Sequence, residues 1–390
     1  MSELITGISE LTTVDPALGT IRDAAVVVEH GRFAWVGPAS GAPAADRSTD
    51  VGGRAALPGW VDSHTHLVFD GDRSAEFQAR MAGESYAAGG IQVTTDATRS
   101  ADDERLATLV AHRVAEAVAG GTTTIETKTG YGLTVDDEER SARVASALVD
   151  EVTFLGAHLV PSGWAAEDYV DLVVGDMLDA VAPHVRWADV FCETGAFDAE
   201  QSRRVLEACQ ERGLGLRVHG NQLGHGPGVQ LAVELGAASV DHCAFLDDDD
   251  LEALGSSDTV ATVLPACDLS TRMPLAPARE ILDAGATLAI ASNCNPGTSY
   301  TSSMAFCVST AVLQMGLSIE EAVRAATWGG ARALRRETGE GPDGIGPVGS
   351  IAVGHRADLH VLTHPAAIHL AYRPGMPATH AVWRAGVRTG

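Results

Sequence analysis

Basic residues are scarce in this chain, with Lys+Arg at 27 against Asp+Glu at 52 and a net charge of −25 over 390 residues. A field of that sign repels a polyanionic backbone, and no Lys/Arg cluster able to neutralise several phosphates interrupts it, so nucleic acid and anionic membranes are not expected partners. CxxC spacing is absent among the six cysteines, Cys192, Cys209, Cys243, Cys267, Cys294 and Cys307. Reduced, buried thiols in a cytoplasmic protein are therefore expected. No stretch reaches about 18 apolar residues free of charge, and the opening MSELITGISELTTVD has neither the basic region nor the apolar core of an export signal. A glycine-rich dinucleotide fingerprint after the first strand is also missing, which argues against a nicotinamide enzyme.

What is present is material for a large core. Hydrophobic residues make up 45% of the chain, enough for one α/β barrel with a satellite or for two ordinary domains. The start of the chain reads as short strands, with AAVVVEHGRFAWVG forming two β-rich runs around His30-Gly31. The end repeats that character in IAVGHRADLHVL and THAVWRAGVRTG. Neither terminal piece can support a core alone, so residues 1–56 and 349–390 are expected to build one small β-sandwich domain together.

Between them the chain alternates. Helix-like ERLATLVAHRVAEAVAGG leads into TTTIETKTG, QSRRVLEACQERG into LGLRVHG, GVQLAVELG into ASVDHC, and PAREILDAG into TLAIASNCNPG. Helix, glycine turn and strand repeated in this way indicate a parallel sheet with helices outside, and the length of residues 57–348 favours a closed (β/α)8 TIM-like barrel. Polar residues fall just beyond each strand, on the face where such barrels hold their chemistry.

The strand ends carry histidines. In PGWVDSHTHLVF, His64 and His66 alternate, so both imidazoles can point to one side and converge on one ion. His219 ends the run in LRVHGNQLGHG and His242 the run in SVDHC. A single strand-end histidine is most simply a hydrogen-bonded structural residue, but several ending separate strands are hard to explain by packing. His64, His66 and His219 form a nitrogen set suited to zinc or ferrous iron, with positions left for water and another ligand. His225, in a glycine-rich loop, reads as a surface or supporting residue.

Taken together, PGWVDSHTHLVFDGDR, ETKTGYGL, FCETGAF, RVHGNQLG, SVDHC and NCNPGTS resemble the amidohydrolase superfamily, and within it the imidazolonepropionase family, across essentially the whole chain. That resemblance implies hydrolytic opening of 4-imidazolone-5-propanoate to N-formimidoyl-L-glutamate in histidine degradation, with one zinc or iron ion and a homodimeric state. It places metal ligation on His64, His66, His219 and Asn293. Substrate contacts fall on Arg73, Tyr131, His158, Gln222, Asn295, Gly297 and Thr298, and the catalytic role on His242 with Gln222. Arg73 offers a planar cationic fork for a propionate, and Tyr131 sits between glycines that let a loop approach a ligand.

The chain departs from the superfamily pattern at Asn293, where relatives carry an aspartate that binds metal and commonly accepts a proton. An asparagine amide is a weaker ligand and essentially no base. Three outcomes are open: an active enzyme using His242 as proton acceptor, a catalytically impaired substrate binder, or another cyclic-amide hydrolase or deaminase. Asp268, in PACDLSTR, is a further acid near a strand end, with nothing in the sequence to put it in place of the missing carboxylate.

Overall fold

The computed structural model describes residues 1–83, 90–341, 344 and 346–389. Its strands are β1 (Ser2–Thr12), β2 (Thr20–Glu29), β3 (Arg32–Pro38), β4 (Arg47–Pro58), β5 (Trp60–Asp62), β6 (Thr122–Lys128), β7 (Glu151–Ala157), β8 (Trp187–Cys192), β9 (Gly215–Gly220), β10 (Ser239–His242), β11 (Val260–Val263), β12 (Leu288–Ile290), β13 (Leu359–Leu362), β14 (Thr379–Arg384) and β15 (Val387–Thr389).

Both termini contribute to one sheet. The sandwich expected from them is hydrogen-bonded as a continuous seven-stranded sheet in the order β15-β14-β13-β4-β1-β2-β3. His30 and Gly31 both have positive φ, 50° and 76°, and Glu29 pairs with Arg32 across them. A two-residue hairpin demands that geometry because it matches the right-handed twist of the flanking strands. Ile5, Ile8, Val26, Phe33, Leu359 and Trp383 are among the residues that form this sheet's core.

The second sheet has eight strands in simple sequence order, β5 through β12. Its ladders from β6 to β12 are parallel. Beyond the ends of β5 and β12 the ring is joined by a bridge between Thr65 and Cys294 and by bonds from Asn293 N to His64 O (3.0 Å) and from His66 N to Cys294 O (2.9 Å). Strands β6, β7, β8, β10, β11 and β12 are buried at every residue, as parallel strands covered on both faces must be. The helix Gly228–Glu234 starts against β9, where a Cβ on Gly228 would stand 2.6 Å from the Gly220 Cα. Only glycine permits that approach, directly behind His219.

Compactness divides the chain differently from the three segments expected. One unit comprises residues 1–63, 115–124 and 303–390, the other residues 64–114 and 125–302. Residues 303–348, assigned by pattern to the barrel, thus group with the terminal sheet. Their helices pack on their own neighbours, as Met304–Gln314 does on His369–Tyr372, and amphipathic periodicity does not reveal which core a helix joins. All six cysteines are buried and none forms a disulfide. Among the described residues no helix is long and apolar enough to cross a membrane.

Within the first unit His360 is fully buried on β13, edge-on to Trp60, with its Nε2 2.9 Å from the Thr379 hydroxyl. Burial pushes its pKa down to about 3, against about 6.5 in an unfolded chain. The unfolded chain binds the extra proton between those values, so stability is lost as pH falls from about 6.5 towards 3. A His360→Gln variant lacks that loss. Its stability relative to the parent, measured by urea unfolding, should improve as pH is lowered from 7 to 5, by at most about 1.4 kcal/mol per pH unit. A difference that stays constant with pH would show that the imidazole is not held neutral.

Candidate active site

Every site residue named from the sequence lies in the second unit. His64, His219 and His242 come together so that their ligand nitrogens lie within 4.8 Å of one another. His66 joins them, with its Nε2 3.3 Å from that of His64. The grouping refines the expectation from sequence: His242, assigned a catalytic rather than a ligating role, stands inside the histidine trio. All four rings are buried. Burial, followed by the charge of Lys128, pushes His64 down to about 3, and burial with neighbouring imidazoles holds His66 and His242 well below the usual range. Neutral imidazole is the form that donates a lone pair to a metal.

Carboxylates stand beside two of these rings. His64 Nδ1 bonds Asp241 Oδ2 at 2.7 Å, and because a carboxylate only accepts, Nδ1 carries the proton and Nε2 is left unprotonated. Asp189 Oδ1 accepts from the His219 backbone N–H at 3.0 Å and lies 3.0 Å from its Nδ1. Arg217 Nη2 donates to Asp241 Oδ2 at 3.0 Å. Against the upward push of burial, Lys128 and His219 hold Asp189 below the ordinary carboxylate range, and Arg217 and His64 do the same for Asp241. None of these supports was singled out from sequence. The available signal was polar side chains inside strands otherwise fit for burial: Glu126 and Lys128 two apart on β6, Asp189 on β8, and Asp241 beside His242.

A small cleft opens onto the cluster, lined in part by His66, His219, His242 and Asn293, and also by Arg73, Tyr131, His158, Gln222, Asn295 and Thr298. His64 and Gly297 do not line it. Gly297 stands behind Arg73, where a Cβ would fall 2.3 Å from Nη1, so the glycine makes room for the guanidinium. Arg73 is itself held by Glu76, through Nε to Oε2 at 2.7 Å and Nη2 to Oε1 at 2.8 Å. Asn295 closes its own turn, with Oδ1 accepting from Gly297 N and Thr298 N, both at 2.8 Å, while Nδ2 donates to Asn293 O at 2.7 Å. Gln222 is anchored through its backbone N–H on Glu193, and His225 is exposed, away from the cluster.

Tyr131 is presented by a loop that a single buried acid organises. Glu138, on the helix Val135–Ser146, accepts from Gly130 N (2.9 Å to Oε2), Gly132 N (2.7 Å to Oε1) and Leu133 N (2.8 Å to Oε1). The same loop fixes His158, whose Nδ1–H donates to Gly130 O at 2.9 Å. Burial pushes His158 down to about 4, so its free Nε2 is an acceptor. Its ring stacks on His66 with centroids 5.7 Å apart.

Asn293 follows β12 in the left-handed region, φ 51°, which asparagine tolerates better than most residues. Its Nδ2 lies 3.5 Å from Thr298 Oγ1, while Oδ1 has no hydrogen-bond partner. Asp268 does not replace a carboxylate here. It accepts from Ala276 N at 3.1 Å, and burial pushes it up to about 7. The donor set fits a metal ion: clustered buried imidazoles, one bonded to a carboxylate and one close to another, with the Nδ1 atoms of His66, His219 and His242 and the Asn293 amide oxygen lacking a hydrogen-bond partner in the protein.

Residues 55–388 match the amidohydrolase family. Among curated proteins, the imidazolonepropionase of Arthrobacter sp. (strain FB24) is 68% identical over 398 residues, covering 100% of both chains. That of Saccharopolyspora erythraea is 69% identical over 387 residues, covering 99% of this chain and 98% of the relative. Among solved structures, a mutant atrazine chlorohydrolase from Arthrobacter aurescens TC1 complexed with zinc and atraton superposes with a TM-score of 0.74 at 20% identity, over 99% of this chain and 94% of that one. A zinc-bound adenosine deaminase from Xanthomonas campestris gives 0.72 at 20% identity, over 99% and 92%. At such identities the structural likeness establishes the fold alone.

The Glu138 arrangement makes a prediction that needs no ligand. The amides of Gly130, Gly132 and Leu133 should be protected from hydrogen exchange although they lie outside any strand or helix. In Glu138→Gln they should exchange about 10- to 100-fold faster, the equivalent of losing about 1–3 kcal/mol of charge-assisted bonding. Unchanged exchange at all three would mean that the carboxylate does not hold the loop.

Proposed function

This chain belongs to the amidohydrolase family and, within it, to the imidazolonepropionases, and from that premise we propose that it hydrolyses the ring C–N bond of 4-imidazolone-5-propanoate to give N-formimidoyl-L-glutamate in histidine degradation. One observation carries the reading: the cationic fork of Arg73 and the histidine cluster open onto the same small cleft. A ligand with a carboxylate at one end and a ring carbonyl at the other can engage both at once. An uncharged base would leave the arginine without a role. The small-molecule substrate, a homodimeric state and a cytoplasmic location are carried over from the family as part of this proposal.

In this reading His64, His66 and His219 hold a single zinc or iron ion, with the Asn293 amide oxygen completing the set. When bound, such an ion supplies Lewis acidity towards the ring carbonyl and makes water a competent nucleophile near neutral pH. Arg73 binds the propionate through the part of its guanidinium that Glu76 leaves available. Tyr131 offers a hydroxyl, and His158 offers the Nε2 lone pair to a ring N–H. Asn295 and Thr298 keep the turn behind Arg73 in place, and Gln222 supplies both a donor and an acceptor towards the amide edge.

The proton taken from the attacking water goes to His242, whose neutral ring lies beside the histidines that would hold the ion and can return that proton to the departing ring nitrogen. Asp189 and Asp241 are already engaged with His219 and His64, and Asn293 has no basic atom. Remote binding of the propionate holds the carbonyl in reacting geometry, so that part of the barrier is met by orientation.

The test follows loss of substrate absorbance, with metal content measured on the same sample. The parent should turn over. His242→Asn should lower kcat by about 10²-fold or more, and Arg73→Met should raise KM by about 10- to 100-fold, the equivalent of a charged hydrogen bond. Asn293→Asp should increase kcat by restoring a carboxylate. Very slow turnover in the parent, restored by Asn293→Asp, would identify an impaired enzyme that still binds substrate. No turnover in either protein with metal bound would end the assignment and direct the search to other cyclic amides.

A further inference from the structure

Lys128 is the single lysine of the chain, and every other member of its 27 Lys+Arg is arginine. A sequence that uses arginine at all its other cationic positions, buried and exposed alike, keeps lysine at one place only. There the side chain is fully buried, with Nζ 2.9 Å from Glu126 Oε1, 2.9 Å from Asp189 Oδ2 and 3.8 Å from Asp241 Oδ2. Three carboxylates from three strands meet one ammonium.

The chemistry of that point separates the two cations. A guanidinium is a broad planar fork that pairs edge-on with one carboxylate at a time, whereas an ammonium is a compact charge with three donors that can be shared in three directions. The neighbouring Arg217 reaches Asp241 at 3.0 Å. Lys128 follows the second pattern. Its partners are not incidental: Asp189 stands 3.0 Å from His219 Nδ1, Asp241 bonds His64 Nδ1, and Glu126 accepts from the backbone N–H of Thr65, between His64 and His66, at 3.1 Å.

We propose that Lys128 is the positioning residue of the active site, a point charge that holds Glu126, Asp189 and Asp241 together and thereby sets how His64, His66 and His219 face the cleft. It touches no ligand itself. Without it, mutually repelling buried carboxylates would shift or take up protons, and the histidines would lose their fixed orientation before any cation arrived. Arginine does not reproduce this arrangement, because its planar fork pairs with one carboxylate edge rather than with three converging ones. The proposal deepens the preceding one, since it rests on those histidines holding a divalent cation.

The single lysine also supplies the probe. In full-length metal-free protein carrying 15N,13C-lysine, one side-chain signal is expected. Its ammonium protons should exchange slowly, and the signal should move when one equivalent of Zn2+ is added although lysine is not a ligand. Exchange at the rate of a free amine, or a signal indifferent to zinc that is bound, overturns the proposal. In Lys128→Met, and equally in Lys128→Arg, zinc affinity measured by chelator competition should fall about 10- to 100-fold, and the imidazole 15N shifts of His64 and His219 should depart from the parent pattern without metal. Parent-like affinity and shifts in Lys128→Arg overturn the point-charge claim. If neither variant folds, the lysine signal of the unmodified protein decides. If the parent takes up no zinc, the cation reading fails separately, and the metal-free lysine and histidine signals still judge Lys128.

Discussion

Buried charge has to be satisfied inside the barrel before anything can bind in the cleft above it. Glu126, Asp189 and Asp241 lie fully buried beside Lys128 and Arg217, a set with one more negative than positive charge. Removing such groups from water costs several kcal/mol per ion unless each is paired and hydrogen-bonded. Here the pairing is distributed over β6, β8, β9 and β10, with further support to Glu126 from the Thr153 hydroxyl on β7. Strands that share a charge network cannot slide independently, so the electrostatic requirement also fixes the register of the barrel floor. The residual negative charge lies under a cluster of imidazoles, of which burial holds His64, His66 and His242 towards the neutral form, an environment that favours a cation.

The same constraint explains the states of the histidines. A charged imidazole would have to be desolvated close to Lys128, whereas a neutral one needs only an oriented acceptor for its N–H. Asp241 supplies that acceptor to His64 at a distance expected for a charge-assisted bond. The Gly130 carbonyl supplies it to His158, and that carbonyl belongs to a loop gathered by Glu138. Two buried carboxylates on different elements therefore decide which nitrogen each ring turns towards the cleft. Tyr131 and His158 act as one wall because a single loop carries the tyrosine and holds the histidine.

Sequence periodicity made much of this legible. Repeated helix, glycine and strand gave the barrel, the β-rich termini gave the second sheet, and His64, His66, His219 and His242 were visible because strand ends are where a barrel keeps its chemistry. What escaped were partners distant in sequence. Nothing local ties Asp189 to His219 or Glu126 to Thr65, and Glu138 looks like one acid among several on an exposed helix until the loop is seen to fold back onto it. Residues 303–348 escaped for a related reason, since a helix pattern reports an apolar face but not which core receives it. His242 was legible as a residue and not as a neighbour. Its place in the trio depends on a backbone φ of 86°, which for a side chain of that size is strained and which no propensity anticipates.

Asn293 is where these constraints meet the chemistry. In the left-handed backbone that closes the ring beyond β12, asparagine and aspartate are sterically almost equivalent, so the fold does not choose between them. Electrostatics does distinguish them, because a carboxylate there would add another negative charge to a region that already carries an excess, tolerable once a divalent cation is bound and costly before. An amide removes that cost in the cation-free protein and gives up basicity in exchange. The other carboxylates near the cluster are already tied to His64, His219 or backbone amides, so none is free to recover that basicity. In the proposed reaction the loss falls on His242, whose Nδ1 has no hydrogen-bond partner in the protein and whose strained backbone places it at the cleft wall.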